Sequence, residues 1–285
     1  MESAQIDASE VTAYLGRLGV ESRARPAAPT DDVLRDLHLR HLRAVPFENL
    51  SVHLGEEIVL EEDRLVEKIV GAGRGGFCYE LNGAFGALLT ALGFEVTPLA
   101  ARVYGAEGRV GIPYDHMVLL VRTVDGGEWL ADVGFGAHSH FPLRWRERGE
   151  QRDPGGVFRI GGVAEADGSG QGDLDVLRDG TPVYRLEVRP RMLGDFVTGA
   201  WWHSTSPGSH FVRSLVCSRV TEDGGRITLS GRRLKVTDRK GGSTERELPT
   251  DGEVLGVYRE HFGIVLDRVP QVRAGETGVG AGPRE

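Results

Sequence analysis

The hydrophobic period of this chain changes just after Gly93, and that change excludes most architectures. Before it, apolar residues recur at helical spacing. Asp7 with Glu10 three residues on forms a capping box ahead of Val11, Tyr14, Leu15 and Leu18. Thr30 is the expected cap of a second helix carrying Val33, Leu34 and Leu37, which Pro46 ends. A third helix is expected over 62–70, and a fourth begins near Cys78 with Leu81, Phe85, Leu88, Leu89 and Leu92 along one face. After Gly93 the pattern predicts short strands at 94–102, 116–124, 128–133 and 182–188, with Asp125-Gly126-Gly127 as a hairpin signal. Residues 161–180, rich in Gly, Asp, Ala and Ser, are expected to form a flexible surface loop. A short linking helix at 192–203, strands at 211–220, 226–229 and 234–237, and a helix at 254–262 follow. A Gly-rich tail from Gln271 is expected to be disordered. Helices, then antiparallel strands, then a mixed segment make an α+β protein, not the alternation of a doubly wound sheet.

Composition narrows the function. The chain of 285 residues accommodates one large domain or two to three small ones. No apolar stretch approaches the roughly 20 residues that span a bilayer. The acidic N-terminus lacks the basic and apolar regions of a signal peptide, and Cys78 and Cys217 are too few for a disulfide framework. A reducing cytoplasm is the expected setting, with no membrane partner. A net charge of −8 argues against nucleic acid, which favours a basic face.

Cys78 stands behind Gly75 and Gly76 and in the first turn of a predicted helix. Free N–H groups and the positive end of the helix dipole favour an anion there, and a lowered thiol pKa makes cysteine a nucleophile. The same position also suits a small buried residue packed under the helix.

A cysteine nucleophile needs a base and a carboxylate to orient that base. His116 and Asp132 stand on neighbouring predicted strands. Asp132 lies in an apolar run, where an unpaired carboxylate is costly, so it either orients an imidazole or bonds the amides of the turn before Gly134. The hairpin alone does not join them. A two-residue turn sets His116 opposite Phe135, and a three-residue loop leaves His116 and Asp132 on one face but four residues out of register. Two other patterns are set aside. Gly71-Ala-Gly73-Arg-Gly-Gly76 matches a dinucleotide fingerprint but follows charges at helical spacing instead of a buried strand. His138 and His140 flank Ser139 without a nearby Cys or acid, so a solvated loop is expected there and no metal site.

Taken together, Arg74-Gly-Gly-Phe-Cys78-Tyr-Glu-Leu-Asn82, His116-Met-Val-Leu-Leu-Val and Asp132-Val-Gly-Phe-Gly136 resemble the arylamine N-acetyltransferase family. Val45-Pro-Phe-Glu-Asn-Leu50 resembles its N-terminal signature, and Thr205-Ser-Pro-Gly-Ser-His-Phe211 its downstream segment, all in the family's order. The resemblance implies a triad of Cys78, His116 and Asp132. It also implies three domains on a cysteine-protease-like core: a helical bundle over 1–92, a β-barrel over 93–190 and an α/β lid with its linking helix over 191–270, before the tail at 271–285. Acetyl-coenzyme A is implied as co-substrate, with no tightly bound cofactor. The acceptor implied is a small aromatic amine or hydrazine, with O-acetylation of N-hydroxyarylamines as a related reaction.

Chemistry then nominates further residues. A flat apolar acceptor calls for aromatic walls, and Phe47, Phe135 and Phe211 lie in the matching blocks, where plain core packing is the alternative. Gly134 and Gly136 allow a close backbone approach to the donor, and Thr205 and Ser206 are nominated beside it. Arg74 and Glu48 are expected to pair as structural support. Two other functions fit a Cys–His–Asp set: an amide synthase closing a polyketide macrolactam, and a thiol hydrolase. Nothing in the chain sets its oligomeric state, monomer or homodimer.

Overall fold

The protein is described by a computed structural model covering residues 6–21, 28–105, 108–162 and 172–272. Its helical part comprises α1 (Ala8–Arg17), α2 (Asp31–Ala44), the two-residue strand β1 (Phe47–Glu48), α3 (Leu50–Leu54), α4 (Glu62–Val66) and α5 (Cys78–Ala91). Asp7 caps α1 by accepting the N–H groups of Ser9 and Glu10, and Glu10 returns a bond to Asp7 N–H at 2.7 Å. Helix α4 passes into a π-helical turn at Glu67–Gly71. Unlike the one-faced helix expected, α5 is buried on all sides from Cys78 to Leu89. Other helices cover one side of it and the barrel the other, so it forms the centre of the molecule.

Eight antiparallel strands follow, β2 (Glu95–Val103), β3 (His116–Arg122), β4 (Glu128–Ala131), β5 (Leu143–Arg144), β6 (Gln151–Asp153), β7 (Gly156–Gly162), β8 (Leu174–Arg178) and β9 (Thr181–Pro190). In the order β5-β4-β3-β2-β9-β8-β7-β6 they make a nearly closed barrel. Period-two alternation divides its residues. Val118, Leu130, Phe158, Ile160, Val176 and Tyr184 fill the interior, whereas Met117, Leu119, Val121 and Trp129 face out into the core shared with α5. A side chain bridges the open seam: Arg144 N–H donates to Gln151 Oε1 at 2.7 Å and Gln151 Nε2 returns to Arg144 O at 3.1 Å. Strand enters both ends of the loop expected at 161–180, because β7 runs to Gly162, β8 covers Leu174–Arg178, and the two pair with each other. Residues 163–171 lie outside the described residues, as do 273–285 of the expected tail.

A 3₁₀ turn (Leu193–Phe196) and α6 (Val197–Thr205) form the expected linker. The strand expected at 211–220 begins instead as α7 (His210–Arg213), because Ser209 Oγ accepts Phe211 N–H and caps a helical turn. Strands β10 (Val216–Val220), β11 (Arg226–Ser230), β12 (Arg233–Thr237) and β13 (Ser243–Glu247) then make a second sheet covered by α8 (Asp251–Phe262). This sheet has the order β1-β10-β11-β12-β13, so its first strand comes from the helical part of the chain.

The β3–β4 hairpin differs from both registers weighed above. Arg122 pairs with Glu128 and Leu119 with Ala131, leaving His116 and Asp132 two residues out of register on one face. Asp31, at the start of α2, fixes this turn: Thr123 Oγ1 and Trp129 Nε1 each donate to Asp31 Oδ1 at 2.6 Å, and Asp31 N–H donates to Asp125 Oδ2 at 2.8 Å. Asp31→Ala is therefore expected to lower stability by about 2 kcal/mol, the scale of lost hydrogen bonds to a charged acceptor. A shifted urea midpoint would report the loss, and an unchanged midpoint would show that the turn sets its own register.

Candidate active site

Cys78 is the first residue of α5 and is buried. Two contacts set up the turn before it. Glu80 reaches back to accept Phe77 N–H at 3.2 Å while pairing with Lys68 Nζ at 2.6 Å. Arg74 Nε pairs with Glu48 Oε1 at 3.0 Å, and Glu48 also accepts the N–H groups of Leu50 and Gly75. Burial alone would raise the Glu48 pKa, but the charges of Arg74 and Lys68 outweigh it and hold it low. Gly75 suits this turn because a Cβ there would lie 1.9 Å from the Pro46 carbonyl oxygen. The glycine run thus serves chain packing.

On the barrel, His116 begins β3 and Asp132 follows β4. His116 Nε2 lies 2.8 Å from Asp132 Oδ2, with both side chains buried. With Nε2 so occupied, Nδ1 is the ring nitrogen left for Cys78, whose presence favours the protonated imidazole. Burial disfavours charge on the imidazole, yet Asp132 and Cys78 together push its pKa up to about 10. Burial would likewise raise Asp132, but His116 and the Asn82 amide hold its carboxyl well below the usual range.

Asn82 joins the two halves of this site. Its Nδ2 donates to Met117 O at 2.7 Å and to Asp132 Oδ1 at 3.0 Å, while its Oδ1 accepts Val133 N–H at 2.9 Å. Sequence reasoning named Asn82 only as the end of a motif. The available signal was its spacing: four residues from Cys78 puts it on the same face of α5. His38 was missed too. It accepts Asp132 N–H at Nε2 and donates from Nδ1 to His140 O, a neutral tautomer consistent with a pKa that burial lowers to about 4.

Of the other nominated residues, Phe135 packs on the His116 ring (5.2 Å between centroids), and Phe47 packs on Phe211 (6.0 Å). All three are half-buried. Gly134 sits directly against α5, where a Cβ would come 2.7 Å from both Cys78 Cα and Asn82 Nδ2. Gly136 has a left-handed φ of 89°. Thr205 and Ser206 lie at the end of α6 with hydroxyls committed locally, to Trp201 O and Gly208 N–H. His138, Ser139 and His140 are buried, contrary to the solvated loop expected. His138 stacks on Tyr184 at 5.4 Å and plugs the barrel interior, which accounts for the difference. Among the described residues no cluster of three or more His, Cys, Asp or Glu is arranged to hold a metal ion, and no helix is long and apolar enough to cross a membrane.

A buried Cys–His–Asp set between a helix start and a barrel can be compared directly with known proteins. A family model described as N-acetyltransferase matches residues 31–272. The arylamine N-acetyltransferase of Escherichia coli (strain K12) is 35% identical over 247 residues, covering 85% of each chain. The chain belongs to the arylamine N-acetyltransferase family. The solved Salmonella typhimurium member of the family superposes with a TM-score of 0.80 at 33% identity, over 91% of this chain and 92% of that one. A Mycobacterium marinum member, solved in complex with CoA, gives 0.78 at 32% identity over 89% and 92%.

Two tests follow from this geometry. Asn82→Ala leaves Val133 N–H without its acceptor and takes a donor from Met117 O and from Asp132 Oδ1, which keeps the Gly134 N–H, so a stability loss of about 3 kcal/mol and a large fall in Cys78 reactivity toward iodoacetamide are expected. The pH dependence has a defined sign. The contribution of His116 is complete below its ordinary 6.5 and is lost as pH climbs through about 10. That of Asp132 is complete above its ordinary 3.8 and is lost as acid protonates it. The melting-temperature difference between wild type and Asp132→Asn should be greatest at about pH 5–7 and shrink toward both extremes. A difference independent of pH would separate Asp132 from the charge on His116.

Proposed function

We propose that the protein transfers an acetyl group from acetyl-coenzyme A to a small aromatic amine or hydrazine, through a thioester on Cys78. The observation that carries this reading is the buried His116–Asp132 pair at 2.8 Å, with the buried Cys78 beside it favouring the protonated imidazole. His116 accepts the thiol proton, and the thiolate attacks the carbonyl carbon of the donor. Collapse of the tetrahedral intermediate expels the coenzyme A thiolate, which takes the proton from His116. The acceptor amine then attacks the Cys78 thioester, His116 receives the amine proton, and Cys78 leaves as the thiolate paired with the imidazolium. Asp132 holds the ring orientation and stabilises the imidazolium.

Cys78 N–H, at a helix start where no intrahelical acceptor exists, is the candidate oxyanion donor. Phe135 against His116, and the Phe47–Phe211 pair, supply the apolar walls that a flat acceptor requires. Gly134 serves the site by letting the end of β4 approach Cys78, more directly than by meeting the donor. A cytoplasmic location belongs to the same reading, since both cysteines are free and the mechanism requires a reduced thiol.

Intact-mass measurement after adding acetyl-coenzyme A alone should show a gain of about 42 Da on the Cys78 peptide, discharged by an aniline derivative. Cys78→Ala should neither load nor turn over, while Cys217→Ala, altered in the core of the second sheet, should load. Asp132→Asn should cut turnover by roughly 10³–10⁴. Loading by a carrier-bound acyl chain but not by acetyl-coenzyme A would replace this reading with an amide synthase. Wild-type turnover by Cys78→Ala would end the covalent mechanism.

A further inference from the structure

The two residues before His116 are held by an unusual number of contacts. Tyr114 has a left-handed φ of 58°, which a bulky residue adopts only where its surroundings impose it. Its ring is fixed by Phe196, edge-on at 5.7 Å between centroids, and by the Arg191 guanidinium 5.0 Å from the ring centre. Its carbonyl accepts the Tyr79 hydroxyl at 2.6 Å. Gly199 makes room for that bond, since a Cβ there would lie 2.6 Å from the same carbonyl oxygen.

Asp115 is tied to three elements. Its Oδ2 accepts Val103 N–H of β2 at 3.0 Å, and its Oδ1 pairs with His203 Nε2 of α6 at 3.0 Å. Its carbonyl lies 3.1 Å from both His203 Nε2 and the Tyr79 hydroxyl. Asp115–His203 is therefore a second imidazole–carboxylate pair, one residue along the chain from His116. His203 is a poor choice for packing alone. Its ring sits among Phe77, Tyr79 and Phe211, and its Nδ1 is buried without a hydrogen-bond partner among the described residues. An unpaired buried nitrogen costs stability that a leucine would not. What the imidazole supplies is the Nε2 donor to Asp115.

These contacts bracket the base. On one side of His116, Asn82 donates to Met117 O; on the other, Tyr79 donates to Tyr114 O. Both donors belong to α5, one and four residues after Cys78, so the helix carrying the nucleophile grips the strand carrying the base at two points. Burial, with Cys78 and Asp115 nearby, pushes the Tyr79 pKa up and keeps its hydroxyl a donor. His203 adds a third grip, from α6.

We propose that Tyr79 and the Asp115–His203 pair are positioning residues, which hold the backbone before His116 so that its free ring nitrogen faces Cys78. They act through His116 and leave the chemistry to the triad. The proposal rests on the acetyltransferase reading only where turnover is measured; alkylation of Cys78 reports the same geometry without it.

The test uses the full chain, assayed well below the Tm of each variant. Tyr79→Phe removes only the hydroxyl, His203→Leu removes the donor at similar bulk, and His203→Gln keeps a side-chain N–H for Asp115. For each, kcat and KM are measured with acetyl-coenzyme A and an aniline derivative, alongside the rate of Cys78 alkylation by iodoacetamide. Tyr79→Phe and His203→Leu should lower kcat and the alkylation rate by about ten- to a hundredfold, the scale of a misplaced catalytic group, with KM within about twofold of wild type. His203→Gln should recover most of both rates. A lower Tm with unchanged kcat and alkylation would make these residues structural only and overturn the proposal. A rise in KM at constant kcat would also overturn it, by assigning them to substrate binding. Equal losses in His203→Leu and His203→Gln would strike His203 from the clamp. Should His203→Leu fail to fold, Tyr79→Phe decides, because it removes one oxygen and keeps the ring contacts. Failure of wild type to use acetyl-coenzyme A would refute the acetyltransferase reading, and the alkylation rates would still decide the clamp.

Discussion

The Asn82 side chain is the contact on which the working geometry depends. Cys78 belongs to a helix, whereas His116 and Asp132 belong to a sheet, and these parts of the chain pack by apolar surfaces that tolerate small shifts. Apolar packing is not directional. Hydrogen bonds are, and one amide supplies three of them across the junction, to Met117, Asp132 and Val133. Since Asn82 lies four residues from Cys78 on the same helix, fixing Asn82 also fixes the nucleophile relative to its base. Gly134 allows this junction to close, because any side chain there would hold α5 away from the barrel.

Around that junction the protein buries charge in matched sets. His116 is paired with Asp132, Arg74 with Glu48 and Lys68 with Glu80. Each pair is tolerated because the remaining oxygens or protons also find backbone or amide partners, as when Glu48 accepts Leu50 and Gly75 N–H. The pairs differ in consequence. Arg74–Glu48 and Lys68–Glu80 hold the turn that presents Cys78. His116–Asp132 stores a proton in the site, and its like-charged neighbours are kept neutral: burial lowers both His38 and His138 to about 4, leaving His116 as the cationic imidazole of the group.

Much of this was legible in the chain because it depends on local physics. Capping by Asp7 and Thr30, the start of a helix at Cys78 and the switch to strands after Gly93 follow from residue type and spacing. Three features were not legible, each for a stated reason. β1 is two residues long and its partner strand is β10, about 170 residues later, so no local pattern announces it. β13 is exposed along its whole length and has no apolar alternation. The burial of His138 depends on Tyr184 and Phe158, which reach it only when the barrel curls.

The sequence by itself nominated Cys78, His116 and Asp132, and the secondary structure bearing each, because capping, period and the cost of a lone buried carboxylate are properties of short segments. Their meeting was decided by tertiary structure. A hairpin register two residues from alignment, a turn held by Asp31 on a distant helix, and an amide spanning helix and sheet bring Asp132, His116 and Cys78 into one buried group.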